Sequence, residues 1–337
     1  MAFPAKRRPT IQDVAREAEV SRATVSRVLN GGVWVSGEAH ARVDKAIKKT
    51  GYRINPHARS LSTRRSGSVA LLLTESYERF FEDLNFSLIM RTAAAALAER
   101  DYPLVLILAD TEVEQRRAVS FMTGGHVDGA LVLSAHRGRQ AFLDDLIDAE
   151  VPLIAGGVPL GFENRVAYVQ AEDREGARDM TRYLEESGRT KIAHIAGPLD
   201  TSGGTGRLAG YQDALGERYD PALVVYGDYS RASGARGMAA LIDSGVTFDA
   251  VFASNDLMAV GALEVLAERG LSVPGDVAVA GFDDNPVAAA ATPSLTTMRQ
   301  PFERVAREMV RLLLDMIDGG PPSRVSLPTE LVRRESA

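Results

Sequence analysis

Three groups of polar side chains stand directly behind β-rich runs, where a binding site could form. KIAHIAG is followed by a loop ending in Arg207-Leu208-Ala209-Gly210-Tyr211, DAVFAS by Asn255-Asp256, and DVAVAG by Phe282, Asp283 and Asp284. Ligands of open α/β sheets sit beyond the carboxyl ends of strands. A guanidinium, an amide and a carboxylate gathered in one crevice would both donate and accept hydrogen bonds, which suits a polyhydroxylated ligand. Each also has a structural alternative: a salt bridge within one lobe for Arg207 and Asp283, and a helix cap for Asn255. Asp283-Asp284 could serve as paired acids, but no His or metal-ligand cluster accompanies them in the sequence. Gly204, Gly206 and Gly210, with Asp228 about twenty residues on, imitate a dinucleotide fingerprint. The first glycine should close the strand directly, yet Pro198 to Gly203 intervene, so a nucleotide-dependent oxidoreductase is the remote alternative and no enzyme is expected. With no cysteine in 337 residues, disulfides, thiolate zinc sites, iron–sulfur clusters and thiol nucleophiles are excluded together, and no cofactor or metal is expected.

The elements that must carry these groups alternate along the chain. VALLL, YPLVLIL, DGALVLS, VPLIAG, RVAYV, KIAHIAG, ALVVY, DAVFAS and DVAVAGF read as strands, with helical patterns at 87–100, 173–187, 255–269 and 301–318 between and after them. Such alternation implies parallel sheets covered by helices on both faces, and some 270 residues of it suggest two lobes. Ahead of this body lies a different pattern. From Thr10, Ile11, Val14, Ala15 and Ala18 recur at helical spacing, the pattern breaks at Glu19-Val20, and Val25, Val28 and Leu29 resume it. Thr10 and Ser21 can cap the two short helices. A third helix, near Glu38 to Thr50, closes a small core and ends at Gly51. The second helix presents Arg22 and Arg27 as candidate readers of a DNA major groove. Asn55-Pro56-His57-Ala58-Arg59-Ser60-Leu61 reads as a cap, a proline at the first helical position and one and a half turns, too short to be stable alone.

Charge supports that division. Residues 1–65 hold fourteen Lys/Arg against five Asp/Glu, while the remainder holds 25 against 40, within a net charge of −6. A basic head on an acidic body is the footprint of a protein whose head alone meets nucleic acid. No apolar run approaches the roughly 18 to 20 residues of a membrane span. Lys6, Arg7 and Arg8 have no apolar segment behind them, so no export signal is recognised and a cytoplasmic location is expected.

The stretch TIQDVAREAEVSRATVSRVLNGGVWVSGEAHARVDKAIKKTGYRINPHARSLSTRRSGSVALL resembles the N-terminus of the LacI/GalR transcriptional repressors over some sixty residues. It departs at Glu19, where the family usually has glycine, so a slightly strained turn is expected. The resemblance implies an all-α helix-turn-helix head with a hinge helix, followed by an α/β two-lobed, periplasmic-binding-protein-like (type I) core. It divides the chain into a DNA-binding domain at 1–54, a hinge and linker at 55–65, and an effector-binding and dimerisation domain at 66–337. Lobe 1 is expected at about 66–163 and 292–320, lobe 2 at about 164–291 and 321–337. Base contacts carry over to Arg22, Ala23 and Arg27; Arg22 fits guanine through its fork or, alternatively, a phosphate, and Ala23 fits a thymine methyl. Ser21, Thr24, Ser26 and Asn30 would clamp the backbone. Asn55 and Arg59 belong to the hinge, and Leu61 would wedge into the minor groove or, alternatively, be an ordinary core leucine. The effector positions fall on Arg207, Asn255 and Asp283, with Thr74, Tyr77 and Phe81 after the first strand adding selectivity or stacking. Gly156-Gly157 stands where many sugar-responsive members carry an acid. The resemblance thus implies a homodimer on double-stranded operator DNA, repressing carbohydrate-utilisation genes and released by a saccharide effector. A corepressor-dependent regulator or an activator is the alternative.

Overall fold

The computed structural model describes residues 9–29, 35–52 and 65–337, which belong to two compact units, Met1–Ser66 and Gly67–Ala337. The first unit holds α1 (Ile11–Ala18), α2 (Arg22–Leu29) and α3 (Gly37–Thr50). Thr10 and Asp13 cap α1 reciprocally: the Thr10 hydroxyl accepts from the Asp13 amide, and Asp13 Oδ2 accepts from the Thr10 amide at 2.8 Å. Ser21 Oγ accepts from the Thr24 amide at 3.0 Å, which starts α2. Val14, Ala18, Val25, Val28, Val43 and Ala46 meet in a small buried core, so the helical spacing of the sequence is the spacing of one shared face. The turn between α1 and α2 passes through Glu19 at φ 53°, the left-handed conformation in which a β-carbon is crowded. Asn30, Asn55, Arg59 and Leu61, and with them the hinge helix, lie outside the described residues.

The second unit is built on two six-stranded sheets. The first runs β11-β5-β4-β3-β1-β2, from β1 (Val69–Leu73), β2 (Leu104–Leu108), β3 (Gly129–Leu133), β4 (Leu153–Gly156), β5 (Ala167–Ala171) and β11 (Arg324–Leu327). The second runs β12-β10-β9-β8-β6-β7, from β6 (Ile192–Ala196), β7 (Val224–Tyr226), β8 (Ala250–Ala253), β9 (Ala278–Asp283), β10 (Thr296–Arg299) and β12 (Glu330–Val332). Pairing is parallel throughout except for β12, which runs antiparallel to β10. Central strands such as β1, β3 and β8 are buried along their whole length, as continuous apolar runs covered on both faces must be.

Helices α4 (Tyr77–Glu82) and α5 (Leu84–Ala98) follow β1, and α13 (Phe302–Ile317) packs beside α5 over the same sheet face through Ile89, Ala93, Val305, Met309 and Leu313. In the second lobe, α8 (Asp173–Glu186) and α9 (Ser202–Leu215) cover one face, while α10 (Arg231–Asp243) and α11 (Asp256–Glu268) cover the other. The α8–α9 crossing is close enough that a β-carbon on Gly210 would stand 2.1 Å from the Arg174 carbonyl oxygen. That accounts for Gly210 without a nucleotide: it permits two helix backbones to touch.

Each lobe crossing falls one strand later than the sequence reading placed it. β5 joins the first sheet by pairing with β4, so lobe 1 runs beyond 163; β10 pairs with β9, so 292–299 belongs to lobe 2; β11 pairs with β5, so lobe 1 extends past 320. The physical reason is that alternation of apolar residues reports burial, and these strands are half-buried or covered in either sheet. Glu19→Gly is expected to relieve the left-handed strain in the head and stabilise it by up to about 1 kcal/mol, read as a higher midpoint of the head's helical circular-dichroism transition.

Candidate functional site

On the head, helix α2 turns Val25 and Val28 inward and leaves Arg22, Ala23 and Arg27 exposed, with Ser21 exposed at its start. Thr24 and Ser26 are half-buried. Ser21 and Thr24 are also engaged with one another, their hydroxyl oxygens 2.9 Å apart.

In the body, the carboxyl ends of both sheets' strands open onto one cleft, lined from both lobes. Arg207, Asn255 and Asp283 all line it, so the three groups identified behind separate strands do converge. Arg207, 5 % exposed, projects from α9. Its Nε donates to Asp173 Oδ1 at 2.8 Å, Nη2 pairs with Asp283 Oδ1 at 3.2 Å, and Nη1 donates to the Ser254 carbonyl. The Phe282 ring lies 4.0 Å from the guanidinium carbon. The anticipated ion pair is therefore present, at the wall of the cleft. Burial would depress a guanidinium, but Asp173 and Asp283 more than compensate and hold Arg207 above its ordinary range. Burial pushes the Asp283 carboxyl up to about 7; Arg207 and the Gln300 amide oppose the rise, and the Asp83 and Asp173 charges add to it. Gln300 Nε2 donates to Asp283 Oδ1 at 2.6 Å. Asn255 caps α11 by accepting from the Met258 amide at 2.9 Å, and its Nδ2 donates to the Tyr229 carbonyl at 2.9 Å. Its capping role and its place in the cleft are one geometry.

Three expected residues are not brought there. Thr74 is buried, and its hydroxyl donates to the Ser134 carbonyl at 2.5 Å. Tyr77 is 45 % exposed, and its hydroxyl donates to Glu114 at 3.0 Å. Phe81 is 74 % exposed, because the short helix α4 turns Phe80 into the core and Phe81 away from it. None of the three lines the cleft.

The first-lobe wall instead carries Glu75, Arg79, Asp83, Asn85 and Phe86, and the second lobe adds Asp173, Tyr229 and Gln300. Half of these eight, like Arg207, Asn255 and Asp283, stand behind a strand. Glu75 follows β1, Asp173 follows β5, Tyr229 follows β7 and Gln300 follows β10.

Polar contacts span the cleft. Asn285 Nδ2 donates to Asp83 Oδ1 at 3.0 Å, and Arg79 Nη1 donates to the Asp228 carbonyl at 3.0 Å. His136 lies between Glu75 and Asp200, 3.0 Å from each through its two ring nitrogens. Burial alone would lower the His136 pKa, but these two carboxylates raise it; Glu75 is lowered against the effect of burial by His136 and Arg79. Asn285 is itself held by Asp256, whose Oδ2 accepts the Asn285 amide at 2.7 Å. Burial, with the Asp283 and Asp284 charges, raises Asp256 well above the usual carboxylate range, while the Thr297 hydroxyl and the Asn285 amide oppose the rise.

The glycines of the imitation fingerprint lie inside α9 and face protein. A β-carbon on Gly204 would meet the Pro198 carbonyl at 1.9 Å, and one on Gly206 would meet Asp173 Cβ at 3.2 Å. That leaves no room for a pyrophosphate along the helix. Among the described residues no group of three or more His, Asp or Glu could hold a metal ion, and no helix is long and apolar enough to cross a membrane.

A basic, capped helix-turn-helix joined to a two-lobed α/β body with a polar cleft defines a ligand-responsive DNA-binding regulator. Residues 10–55 match the family of bacterial regulatory proteins, lacI family, and residues 181–337 match the periplasmic binding protein-like domain. The chain is 44 % identical over 338 residues to the HTH-type transcriptional regulator CelR of Thermobifida fusca, covering 98 % of this chain and 99 % of that one. It is 34 % identical to the HTH-type transcriptional regulator AscG of Escherichia coli, covering 97 % and 98 %. Among solved structures, a complex of CelR with cellobiose superposes with a TM-score of 0.78 at 42 % identity, covering 98 % of this chain and all of that one. The lac repressor dimer bound to operator and an anti-inducer superposes with a TM-score of 0.84 at 26 % identity, covering 98 % and 99 %. The chain belongs to the LacI family of bacterial transcriptional regulators.

Replacing Arg207 by leucine would leave Asp173 and Asp283 in a low-dielectric wall without their cation. Arg207→Leu is expected to destabilise the body by about 3–5 kcal/mol, measured by urea denaturation near neutral pH. The loss should be smaller in mild acid, where Asp283 takes up a proton.

Proposed function

We propose that this chain is a cytoplasmic repressor of carbohydrate-utilisation genes whose effector is a saccharide of about disaccharide size bound between the two lobes. The observation that carries this reading is the convergence of Arg207, Asn255 and Asp283 with first-lobe side chains in one cleft. The cleft offers cationic donors, amides and carboxylate acceptors over aromatic and aliphatic walls, the mixture that hydroxyls and C–H faces of sugars require. CelR, which is nearly half identical to this chain, is the protein solved with cellobiose, and cellobiose is the first ligand to test.

The head reads DNA through Arg22, Ala23 and Arg27, with Ser21, Thr24 and Ser26 fixing the backbone register. Two copies of the chain sit on two half-sites of a near-palindromic operator, since two-fold symmetry in the protein is matched by two-fold symmetry in the DNA. Effector in the cleft changes how the lobes meet, and the operator is released.

The direct test is fluorescence anisotropy of a selected operator duplex titrated with cellobiose at physiological salt. Release at cellobiose concentrations that also saturate in calorimetry is the expected result; an unchanged operator complex would overturn the reading, and tighter binding would make the ligand a corepressor. Asp283 gives the response a pH signature. Its carboxylate accepts ligand hydroxyls, and it takes up a proton as pH falls through about 7. Cellobiose affinity is therefore expected to fall several-fold between about pH 8 and pH 6, and Asp283→Asn should flatten that profile while leaving operator binding intact. Arg22→Ala is expected to weaken operator binding by about 1–3 kcal/mol and relax one base preference, measured over a set of singly substituted operators. Uniform weakening across that set would make it a phosphate contact.

A further inference from the structure

One contact between the lobes depends on a proton. His136 stands in the first lobe, three residues beyond the end of β3, and its ring is engaged on both sides. Nε2 lies 3.0 Å from Glu75 Oε1 in the same lobe, and Nδ1 lies 3.0 Å from Asp200 Oδ2 in the second. An ionised carboxylate accepts hydrogen bonds and cannot donate one. A neutral imidazole has one N–H and one lone pair, so it satisfies only one of these neighbours and turns its lone pair on the other. The arrangement is therefore that of an imidazolium with both nitrogens donating.

The two carboxylates are not equivalent. Glu75 is 12 % exposed and shares Oε1 with Arg79 Nε at 3.3 Å, so it is bound into the first lobe. Asp200 is 43 % exposed, and among the described residues its side chain bonds only to His136, since Oδ1 has no partner. When one proton leaves, the remaining N–H stays with Glu75, the more costly of the two to leave unpaired, and Asp200 turns to water. The other charged groups around the ring are Arg79 beside Glu75, Asp83 at 3.9 Å from Arg79, and Arg137, whose amide donates to the Asp200 carbonyl at 2.8 Å.

We propose that His136 is a proton-operated latch between the lobes: doubly protonated, it ties Glu75 of the first to Asp200 of the second, and loss of one proton releases Asp200. Burial opposes the charged ring, but the two acids raise its pKa above the ordinary 6.5. The latch is thus complete below that ordinary value and is lost as pH rises through the raised one. Asp200 immediately precedes Thr201, whose hydroxyl caps α9 by accepting the Gly204 amide at 3.1 Å, and α9 carries Arg207. Releasing Asp200 therefore loosens the entry to the helix that supplies the cleft's guanidinium. A ligand between the lobes and the proton on His136 bias the same equilibrium, and the proton acts whichever ligand the cleft takes.

The chain has no cysteine, so Asp148→Cys in the first lobe and Glu217→Cys in the second, both at exposed positions, take one spin label each. Labelled full chain is diluted into an excess of unlabelled chain, and the distance between the lobes is read by electron paramagnetic resonance. Sugar is left out, because Asp283 gives its binding a pH dependence of its own. The ratio of close to separated lobes is expected to fall about tenfold between about pH 6 and pH 9, through the loss of one charge-assisted hydrogen bond. In Asp200→Asn the amide can donate to an unprotonated Nδ1, and in His136→Gln the titrating ring is gone. Both variants should keep one distance distribution across that range. A distribution in the unsubstituted chain that does not change with pH would overturn the proposal, and so would a change that persists in either variant. Each variant decides by itself, so one that failed to fold would leave the other to decide.

Discussion

A guanidinium taken out of water must be surrounded by groups that replace the water, and in this body that requirement fixes the rim of the second lobe. Arg207 reaches from α9 to the start of α8 at Asp173, to the end of β8 at Ser254 and to the end of β9 at Asp283. A desolvated charge penalises any arrangement that leaves it unpaired, so these ends have little freedom to drift. The planar fork matters, since a lysine ammonium could not address three acceptors in fixed directions. One cation between two carboxylates leaves an excess of negative charge, and Asp83 faces the cleft from the other lobe. Burial raises Asp83 as it raises Asp283.

Cohesion within the lobes and between them is of two kinds. Each lobe is filled by buried aliphatic and aromatic side chains on both faces of its sheet, and burial of that kind is strong and insensitive to direction. Across the cleft the contacts are directional and polar: Asn285 to Asp83, Arg79 to Asp228, and His136 between Glu75 and Asp200. Each such bond is worth about 0.5–1.5 kcal/mol net, somewhat more where a charge takes part. Together they amount to a few kcal/mol, the same size as the coupling free energies by which one ligand alters the affinity for another. A ligand that competes with or adds to these bonds can therefore shift the lobes, whereas nothing it does would unpack either core.

Much of this was legible in the sequence because the informative signals are local. Every one of the nine β-rich runs became a strand, and the capping residues Thr10, Ser21 and Asn255 do what their hydrogen-bonding capacity suggests. Arg207, Asn255 and Asp283 could be found because each follows a strand. What stayed hidden is non-local. Nothing in RVAYV states that β5 pairs with β4 and β11, and the strands β10, β11 and β12 are short segments whose partners are far away in the chain. Thr74, Tyr77 and Phe81 also follow a strand, but the helix that begins at once rotates alternate side chains inward and outward. Position after a strand brings a residue near the cleft, and the local turn then decides whether it faces in.

That local turn is strained at several points of the rim, and the strain explains why residues outside the cleft matter to it. Ser134, Tyr229 and Asp283 all line the cleft and all have positive φ, at 60°, 68° and 107°. Such conformations persist only when neighbours over-determine them. The neighbours are identifiable: the Thr74 hydroxyl holds the Ser134 carbonyl, Asn255 Nδ2 holds the Tyr229 carbonyl, and the Gln300 backbone and side chain both donate to Asp283. Thr74 thus reaches the site through the residue it fixes, not through a ligand. A rim held in this way by the protein's own groups leaves fewer side chains for a ligand to order, so less of the ligand's interaction energy is lost to ordering them. More of it is then left to act on the contacts between the lobes.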